Sequence, residues 1–503
     1  MSQRDTDPYL SAGAQATSLN RVIRGSFWLY VSGISSNFIA YIYWLLASKF
    51  VEPTTIGDAA AILGIVSIIT GFFGFGISSG TTRMFGRANG QGDRKSLSSY
   101  FSSTLLVSLA IQLVVAALVF LLGGYFYLIG LDAFFIAILI AIGGWPYIMS
   151  ALFSSTLRTG AIALAAIVST LLRLTLGIAL LYAGTGFVGI MLAFILTDVA
   201  YDAILLYLCR RIVSFQRPSV APVKEALKTG IPNWLPGIIS TAGTWLGILG
   251  MHSLSGSYET GTYYIAFMIS QFVYSLPLSF LGLMFPVLSG MEDGRKRATN
   301  RSVRLTLAII SPLAAIVIAY PSVPLSMLGS AYTASSLALQ ILLVGCFVAP
   351  ISSGFSSLVY AYGKYRYVTL LGLSLNIPRV VFYPFLVALW GDNGAALAYI
   401  SGIFVELIVI YLMARKISYS VGWTSPIVFA SIPSLMAVIV IFTNLNWVIG
   451  ILIILAVTIF VYARLSLITR SDLGEIVTAF LSRKRLDQVY PYAKYIMEVL
   501  YGK

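Results

Sequence analysis

The stretch RLTLGIALLYAGTGFVGIMLAFILTDVAYDAILLYLCRR, residues 173–211, joins two apolar segments through the short glycine-bearing turn 183–186. A membrane-spanning helix needs about 20 mostly apolar residues, and both segments reach that length when the residues before Arg173 are included. One arginine lies in the middle of the first segment, two carboxylates lie in the second, and an arginine pair ends it. The stretch therefore predicts two transmembrane helices with charged groups at membrane depth.

The composition extends this prediction to the whole chain. Of its 503 residues, 58% are hydrophobic and 10% are charged, and the mean hydropathy is +0.89. Soluble domains carry about 25% charged residues, so this chain has too few polar groups to cover a surface that faces water. We predict an all-α integral membrane protein with about fourteen transmembrane helices, near residues 25–48, 61–83, 98–123, 133–157, 160–183, 187–208, 231–254, 262–288, 303–321, 334–360, 367–390, 394–414, 425–443 and 447–469.

The positions of the basic residues predict which side of the membrane each loop faces. The chain has 32 Lys and Arg against 18 Asp and Glu, and the basic residues fall almost entirely in every second loop and in the two termini. The exceptions are Lys49, which lies in an opposite loop, and Arg173 and Arg379, which lie inside spans. Because basic loops stay in the cytoplasm, both termini are predicted to be cytoplasmic. Basic residues spread between spans form no patch for nucleic acid, and no nucleic-acid partner is expected.

Two stretches share one pattern, which predicts an internal repeat. Arg173 precedes the basic pair 210–211 by 37 residues, and Arg379 precedes the basic pair 415–416 by 36. In both stretches the arginine is followed by an apolar half-helix, a glycine-bearing turn and a helix with a carboxylate. Repeated lobes with a site between them are typical of secondary transporters.

The repeat and the loop charges together predict the organisation of the chain. The predicted parts are a cytoplasmic N-terminus at 1–24, an N-lobe of helices 1–6 at 25–222, a C-lobe of helices 7–12 at 223–416, an added pair of helices 13 and 14 at 417–469, and a cytoplasmic amphipathic tail at 470–503. The tail has apolar residues at helical spacing and a basic cluster, a pattern that suits an anionic membrane surface. A loosely ordered tail is the alternative.

The sequence argues against an enzyme. It has no GxxxxGK[ST] phosphate loop, no HExxH pair and no CxxC, and its loops are too short for a catalytic domain. His252 is the only histidine, which excludes a histidine-rich metal site, and we expect it to have a local structural role. We predict no catalytic residue, no cofactor and no metal, and Cys209 and Cys346 suggest no disulfide framework.

Five charged residues are predicted to lie at membrane depth, where a charge costs roughly 3 kcal/mol on insertion scales. They are Arg173, Arg379, Asp198, Asp202 and Glu406. One interpretation places them around a water-filled cavity between the lobes, where arginine binds phosphate with its planar fork and a carboxylate titrates or binds a coupling cation. The alternative is a structural network of ion pairs, in which Arg173 pairs with either aspartate and Arg379 pairs with Glu406.

Several short motifs resemble those of a known transporter family. They are FVEPTTIG at 50–57 between helices one and two, GFGI at 74–77 in helix two, RANGQGD at 87–93 before helix three, and MLGSAY at 327–332 before helix ten. In these motifs, and in its layout over residues 20–470, the chain resembles the polysaccharide flippases of the multidrug/oligosaccharidyl-lipid/polysaccharide exporter superfamily.

The resemblance implies two six-helix lobes, often with two further helices, that move lipid-linked sugars across the cytoplasmic membrane by alternating access. Many such proteins hold the pyrophosphate and sugar headgroup in a cationic cavity, and Arg173 and Arg379 match that role. Two features differ from relatives of this kind. Lipid II flippases carry an arginine within helix one, whereas this chain has only Arg24 at the helix start. Drug exporters commonly have twelve helices and an acid in helix one, and this chain is predicted to have neither.

These features predict a flippase in the cytoplasmic membrane for polyprenyl-(pyro)phosphate-linked oligosaccharide, serving cell-surface polysaccharide synthesis or protein glycosylation. The expected headgroup-binding residues are Arg173 and Arg379, and Asp198, Asp202 and Glu406 are expected to be cavity carboxylates or ion-coupling groups. The expected partners are the lipid-linked oligosaccharide and membrane lipids, with glycan-assembly enzymes as further candidates. A cation-coupled multidrug or metabolite antiporter of the same superfamily is the alternative, and a scaffold that transports nothing is a third class.

Overall fold

The computed structural model describes residues 32–123, 131–282, 293–420 and 424–465, together with the single residues 288, 291, 422 and 467. Within these ranges all regular secondary structure is helical. The helices are α1 (32–47), α2 (Pro53–Phe73), α3 (Ile77–Gly90), α4 (Arg94–Leu122), α5 (Leu131–Gly143), α6 (Pro146–Ser155), α7 (Thr159–Tyr182), α8 (Gly186–Cys209), α9 (Val220–Leu254), α10 (Ser257–Gly282), α11 (Arg295–Ala319), α12 (Ser322–Leu328), α13 (Ser336–Val344), α14 (Ala349–Ala361), α15 (Tyr365–Lys416), α16 (Thr424–Phe442) and α17 (Trp447–Arg464).

The predicted fold class, an all-α integral membrane protein, is confirmed. Among the described residues, nine helical segments are long and apolar enough to cross a membrane. One of them, α15, has 52 residues and is interrupted at Trp390 and Gly391, where the backbone leaves the helical conformation. The predicted spans 367–390 and 394–414 lie on the two sides of this break. The total of fourteen spans and the side on which the termini lie stay predictions.

The region predicted as one span at 61–83 consists of two helices. Helix α2 begins earlier, at Pro53, because proline suits the first helical position, where its missing N–H is not needed. It ends at Phe73, and Gly76, which has φ of +67°, turns the chain into α3. Since a positive φ favours glycine, the GFG sequence at 74–76 explains the break.

The segment between the predicted lobes is shorter and more ordered than the predicted basic loop 209–230. Residues 213–219 are extended, and α9 already begins at Val220. Three serine hydroxyls of α4 accept hydrogen bonds from this segment, at 3.2, 2.9 and 2.9 Å, and the donor–acceptor pairs are Ser214 N with Ser98 Oγ, Gln216 N with Ser102 Oγ, and Ser219 N with Ser103 Oγ. The connection is therefore fixed along α4, and the predicted lobe boundary at 222–223 falls in the first turn of α9.

The start of α4 is closed by a side-chain cap. The carboxylate of Asp93 accepts hydrogen bonds from the hydroxyl of Ser96 at 2.6 Å and from its backbone N–H at 2.9 Å. These bonds favour the charged carboxylate, and they lower the pKa of Asp93 below its ordinary value. The motif RANGQGD thus ends as an N-cap that separates α3 from α4.

The final helix pair is attached to one face of α11. Lys296 Nζ and Asn300 Nδ2 donate to the backbone carbonyls of Ser418 and Ser420, each at 3.0 Å. Arg304, one turn further along α11, donates to the carbonyl of Leu467 at 2.7 Å. These bonds attach both ends of the α16–α17 pair to α11. The predicted grouping into two lobes and an added pair stays a prediction, and the N-terminus 1–24 and the tail 470–503 lie outside the described residues.

Candidate functional site

A cavity of about 980 Å³ lies between α2, α3, α5, α6, α8 and α9. We call it the carboxylate cavity, because Asp198 and Asp202 of α8 both line it. Residues four positions apart in a helix share one face, which explains why these two carboxylates point into the same space. Helix α4 also reaches the wall, through Ser108. The remaining Ser, Thr and Tyr residues of the wall are Ser67, Thr70, Ser78, Ser79, Thr82, Tyr147, Ser150, Tyr201 and Thr241.

Asp202 is the most deeply placed of these carboxylates. Its side chain is 4% exposed, and neither carboxylate oxygen has a hydrogen-bond partner. The hydroxyl of Thr70 on the same wall is also buried without a partner, whereas the hydroxyls of Ser150 and Tyr201 bond each other at 3.0 Å. Because a buried charge without a partner is unfavourable, this wall is suited to a proton, a cation or a ligand with N–H or O–H donors.

A second cavity, of about 790 Å³, lies at the opposite end of α2 and α9. We call it the histidine cavity, because His252 lines it together with Asp58 and Asp132. His252 Nε2 is 3.1 Å from Asp58 Oδ1 and 3.3 Å from the hydroxyl oxygen of Ser257. His252 therefore connects α9 with α2 and α10, and the local structural role expected for it stays a prediction.

The two cavities are separated by a packed layer. Gly64 of α2 faces the side chains of Trp245 and Leu249 in α9, and a Cβ atom at Gly64 would lie 3.2 and 3.3 Å from them. The carboxylate cavity is lined by residues up to Trp245 of α9, and the histidine cavity by residues from Leu246 onward. The same two helices thus line a separate cavity on each side of this layer.

Arg173 lies in α7, in a five-residue π-helical segment, Arg173–Gly177. Its guanidinium carbon is 4.7 Å from the ring centre of Phe194 and 5.5 Å from that of Tyr43. Aromatic faces attract such a cation, yet the Nε atom is buried and has no hydrogen-bond partner. π-helical turns are rare overall, and those that occur are often at functional sites. Arg173 therefore combines an unusual helical segment with a buried donor that has no hydrogen-bond partner.

Arg379 lies in α15 and is held more completely. It is 4% exposed, its Nε donates to the carbonyl of Tyr399 at 2.8 Å, and its guanidinium carbon is 3.7 Å from the Tyr399 ring centre. Nη1 donates to Asn376 Oδ1 at 3.5 Å. Gly402 provides the space, because a Cβ atom there would lie 2.9 Å from Arg379 Cγ. In this conformation Arg379 joins the two halves of α15.

Glu406 is 5% exposed and accepts a hydrogen bond of 2.6 Å from the hydroxyl of Ser352 in α14. No N···O contact within 4.0 Å joins Arg173 to Asp198 or Asp202, or joins Arg379 to Glu406. The alternative interpretation, direct intramembrane ion pairs, therefore does not hold for these described residues.

The five predicted residues are thus only partly brought together. Asp198 and Asp202 share the carboxylate cavity, whereas Arg173, Arg379 and Glu406 are not among the residues that line either cavity. The described walls of both cavities contain acidic residues and no Lys or Arg.

The sequence did not identify Asp58 as a cavity residue. The first span after Glu52 was predicted to begin at 61, which placed Asp58 in a loop. Proline at 53 after Glu52 was the available signal, because it is typical of the first turn of a helix. Placed correctly, that turn would have put Asp58 inside α2.

The chain matches one known protein family. Residues 22–292, more than half of the chain, match the family model described as "Polysaccharide biosynthesis protein". A comparison with curated protein sequences gives no significant match.

Solved structures share the fold at low sequence identity. The chain is similar to "Lipid II flippase MurJ, inward closed conformation", with 15% identity, 86% of this chain and 97% of that chain covered, and a TM-score of 0.68. An outward-facing multidrug resistance MATE family transporter of the MOP superfamily covers 80% of this chain and 97% of its own, with 17% identity and a TM-score of 0.59. A MOP superfamily transporter from Pyrococcus furiosus covers 78% of this chain and 95% of its own, with 15% identity and a TM-score of 0.57, and its title says that reverse polarity of the binding pocket suggests a different function.

Proposed function

The chain belongs to the family described as "Polysaccharide biosynthesis protein", and on this premise we propose that it is a MOP-superfamily flippase for polyprenyl-(pyro)phosphate-linked oligosaccharide. It moves this cargo from the inner to the outer leaflet of the cytoplasmic membrane by alternating access. The cargo would serve cell-surface polysaccharide synthesis or protein glycosylation.

One observation carries the alternating-access part of the proposal. The carboxylate cavity and the histidine cavity lie at opposite ends of α2 and α9, and the layer at Gly64, Trp245 and Leu249 separates them. A transporter needs such a pair of compartments, because a cargo that enters on one side must leave on the other without an open channel. Volumes of about 980 and 790 Å³ fall within the range of small-molecule sites, roughly 300–1,000 Å³, and suit the first sugars of a headgroup.

We propose that Arg173 and Arg379 bind the phosphate groups of the cargo. Arg173 is the stronger candidate, because its buried Nε has no hydrogen-bond partner and no such bond has to break first. Arg379 would have to leave the Tyr399 carbonyl first, so its contact with cargo belongs to a conformation in which the two halves of α15 have separated. In both cases the bidentate fork of arginine matches a phosphate group.

We propose that Asp198 and Asp202 couple transport to a cation gradient. The unpartnered oxygens of Asp202 can hold a proton or a cation while the carboxylate cavity is closed. Glu406, bound to Ser352, is the corresponding carboxylate of the predicted C-lobe. Burying a charged carboxylate costs more free energy than burying a neutral one. Binding of a proton or a cation to one of these carboxylates therefore favours the conformation in which that carboxylate is buried.

The experiment that tests the proposal is a flipping assay in proteoliposomes. A fluorescent polyprenyl-diphosphate oligosaccharide is placed in the leaflet that corresponds to the cytoplasmic side, and a membrane-impermeant lectin reports its appearance on the other side. We expect transport by the unaltered protein and its loss in Arg173→Ala. The matched control is Arg211→Ala, because Arg211 is an exposed arginine that likewise stacks on an aromatic ring, at 5.5 Å from Tyr207. Full activity of Arg173→Ala would refute the headgroup role.

A second candidate function is a cation-coupled multidrug or metabolite antiporter. It is favoured by the polarity of the cavities, whose described walls carry Asp58, Asp132, Asp198 and Asp202 and no Lys or Arg. Such walls suit a cationic or neutral cargo better than a diphosphate. Efflux of a cationic dye that stops when the ion gradient is collapsed, and that is lost in Asp202→Asn, would support this candidate. Absence of efflux together with lipid flipping would exclude it.

A further inference from the structure

Close contacts between helix backbones lie beside each of the two cavities. Near the carboxylate cavity, α3 meets α9. A Cβ atom at Gly76 would overlap the carbonyl group of Gly230, and a Cβ atom at Gly230 would overlap the carbonyl group of Gly76. A Cβ atom at Gly80 would overlap the carbonyl oxygen of Ala226 in the same way. Helices that touch at glycine leave no space for water between them. We call this contact the arginine seal, because Arg87 and Glu225 form an ion pair beside it at 2.8 Å.

An equivalent contact lies beside the histidine cavity. There α2 meets α10, and a Cβ atom at Gly57 would overlap the carbonyl oxygen of Ser257. A Cβ atom at Gly261 would overlap the carbonyl oxygen of Pro53. We call this contact the histidine seal, because His252 and Asp58 form an ion pair beside it at 3.1 Å when the imidazole is protonated.

Each seal therefore has the same construction, which is a glycine contact with one ion pair next to it. In the part of the chain that the structure describes, these are the two ion pairs, and both connect α2 or α3 with α9. Helices α2 and α3 belong to the predicted N-lobe, and α9 and α10 to the predicted C-lobe. The ion pairs thus lie where the lobes would have to separate if either cavity opened.

The two ion pairs differ in chemistry. The guanidinium of arginine stays charged at every physiological pH, so the attraction between Arg87 and Glu225 does not depend on the proton concentration in that range. Histidine is the side chain that ordinarily gains and loses its charge between about pH 5 and 8. The ionic attraction between His252 and Asp58 exists only while the imidazole is positively charged; a neutral imidazole with its hydrogen on Nε2 keeps only a hydrogen bond to the carboxylate.

The other groups around His252 act in the same direction. Asp58 faces it from α2, and Asp132 faces it across the cavity from α5. Helix α10 contributes the hydroxyl of Ser257 and has Glu259 in its first turn, and α15 contributes Tyr383, whose hydroxyl donates to the Gly243 carbonyl. All charged groups among them are acids, and no Lys or Arg lines this cavity in the described residues. Protonation of His252 therefore adds attraction across the seal and no repulsion.

We propose that the histidine seal is a proton-dependent lock, which stays closed while His252 is protonated and bound to Asp58 and opens more readily when the imidazole is neutral. The guanidinium of Arg87 keeps its charge over the same pH range, so of the two ion pairs only that of the histidine seal is switched by a proton. The proposal rests on the alternating-access part of the proposed function and does not depend on the cargo. The ion pair is partly exposed, with side-chain exposures of 37% and 46%, so the expected change in the open population is about fivefold or less.

The test measures distances across the two seals in lipid nanodiscs without any cargo. Spin labels at Lys49→Cys and Leu254→Cys report on the histidine seal, and labels at Gln91→Cys and Ala221→Cys report on the arginine seal, since all four positions are exposed. The native cysteines, Cys209 and Cys346, are buried. Distance distributions are compared at about pH 5.5 and about pH 8, on the two sides of the ordinary imidazole range.

We expect the long-distance population across the histidine seal to grow up to about fivefold at the higher pH. Any pH response across the arginine seal should be the same in His252→Gln as in the unaltered protein, because Arg87 keeps its charge over this range. His252→Gln and Asp58→Asn should both remove this pH response and favour the long distances at either pH. Arg87→Gln is the matched control, which should loosen the arginine seal and leave the pH response of the histidine seal intact. A distribution that does not change with pH, or a response that persists in His252→Gln, would overturn the proposal. Because no cargo is present, a failure to flip any lipid-linked sugar would be seen separately in the proteoliposome assay.

Discussion

Arg173 and Arg379 occupy corresponding places in the two repeated stretches of the sequence, yet their surroundings in the structure differ. Arg379 is 4% exposed, donates to the Tyr399 carbonyl and lies against the Tyr399 ring. Arg173 is held between Phe194 and Tyr43 and keeps a buried Nε without a partner. The difference teaches that similar position in a repeat does not fix a similar role. Arg379 fastens the two halves of α15 through a hydrogen bond, whereas Arg173 contacts aromatic rings and keeps an unpartnered donor.

Replacing Gly402 tests whether Arg379 fastens the two halves of α15 as described. Of the changes considered, we expect this one to have the largest effect on stability. A methyl group at Gly402 would overlap the Leu375 carbonyl oxygen and lie 2.9 Å from Arg379 Cγ. The halves of α15 would have to move apart, and overpacking of this kind costs about 3 kcal/mol. We expect Gly402→Ala to lower the thermal unfolding midpoint of the detergent-solubilised protein by several degrees.

The matched control for that experiment is Gly372→Ala. Gly372 lies in the same helix, and nothing lies within 4 Å of the position that its Cβ would take. Alanine is a better helix former than glycine by up to about 1 kcal/mol, so this variant should keep or slightly raise the midpoint. Equal losses in the two variants would mean that Arg379 is not packed against Gly402 as described.

Replacing each arginine with alanine should lower the free energy of unfolding by different amounts. Arg379→Ala leaves the buried Tyr399 carbonyl without its donor, and we expect a loss of about 3 kcal/mol in the free energy of unfolding. Arg173→Ala removes only contacts with aromatic rings, and we expect a loss of about 1 kcal/mol. Denaturant titrations of both variants, followed by tryptophan fluorescence, measure the difference. A larger loss for Arg173→Ala would reverse the comparison.

The rate of transport should depend more on Arg173 than on Arg379, which is the reverse of their expected order for stability. Lysine keeps the charge of arginine but lacks its planar fork, so Arg173→Lys tests whether a phosphate group is bound in a bidentate way. We expect the initial rate of flipping to fall about tenfold, equivalent to about 1.4 kcal/mol. Arg379→Lys, measured per folded molecule, should fall less. If Arg173→Lys flips lipid at the full rate, the fork is not used.

The smallest expected effect identifies which part of Tyr399 holds Arg379. Tyr399→Phe removes the hydroxyl that accepts a hydrogen bond from Gln271 Nε2 at 2.9 Å and keeps both the ring and the backbone carbonyl. A neutral hydrogen bond contributes about 1 kcal/mol, so the midpoint should fall by clearly less than in Arg379→Ala. A loss as large as in that variant would show that the hydroxyl network, and not the carbonyl and ring, supports the arginine.

Much of the fold was predictable because each membrane-spanning helix corresponds to a run of apolar residues in the sequence. The turn at 183–186 separates α7 and α8 as predicted, and Gly184 and Gly186 both have positive φ. The start of α9 was not predictable in this way, because residues 220–230 are polar and helical at the same time. The break within the predicted span 61–83 depends on the left-handed conformation of Gly76, which apolar runs do not reveal.

The site was less predictable than the fold. Asp198 and Asp202 were expected to share a face from their spacing alone, and they line one cavity. The burial of Arg379 depends on Gly402, a residue 23 positions later in the chain, and the placement of Asp58 depends on contact with α9. Such contacts between distant segments leave no periodic pattern in one sequence. The headgroup role of the arginines therefore stays a prediction.

The polarity of the two helices that complete the seals has a consequence for biosynthesis. Neither α9 nor α10 is among the nine helical segments that are apolar enough to cross a membrane on their own, and Thr260 and Ser270 of α10 are fully buried in the finished protein. Insertion machinery releases segments into lipid according to their hydrophobicity. We therefore expect α9 and α10 to enter the bilayer late, once the preceding helices offer them a surface. The chain would then complete its membrane insertion and close its two compartments in the same step.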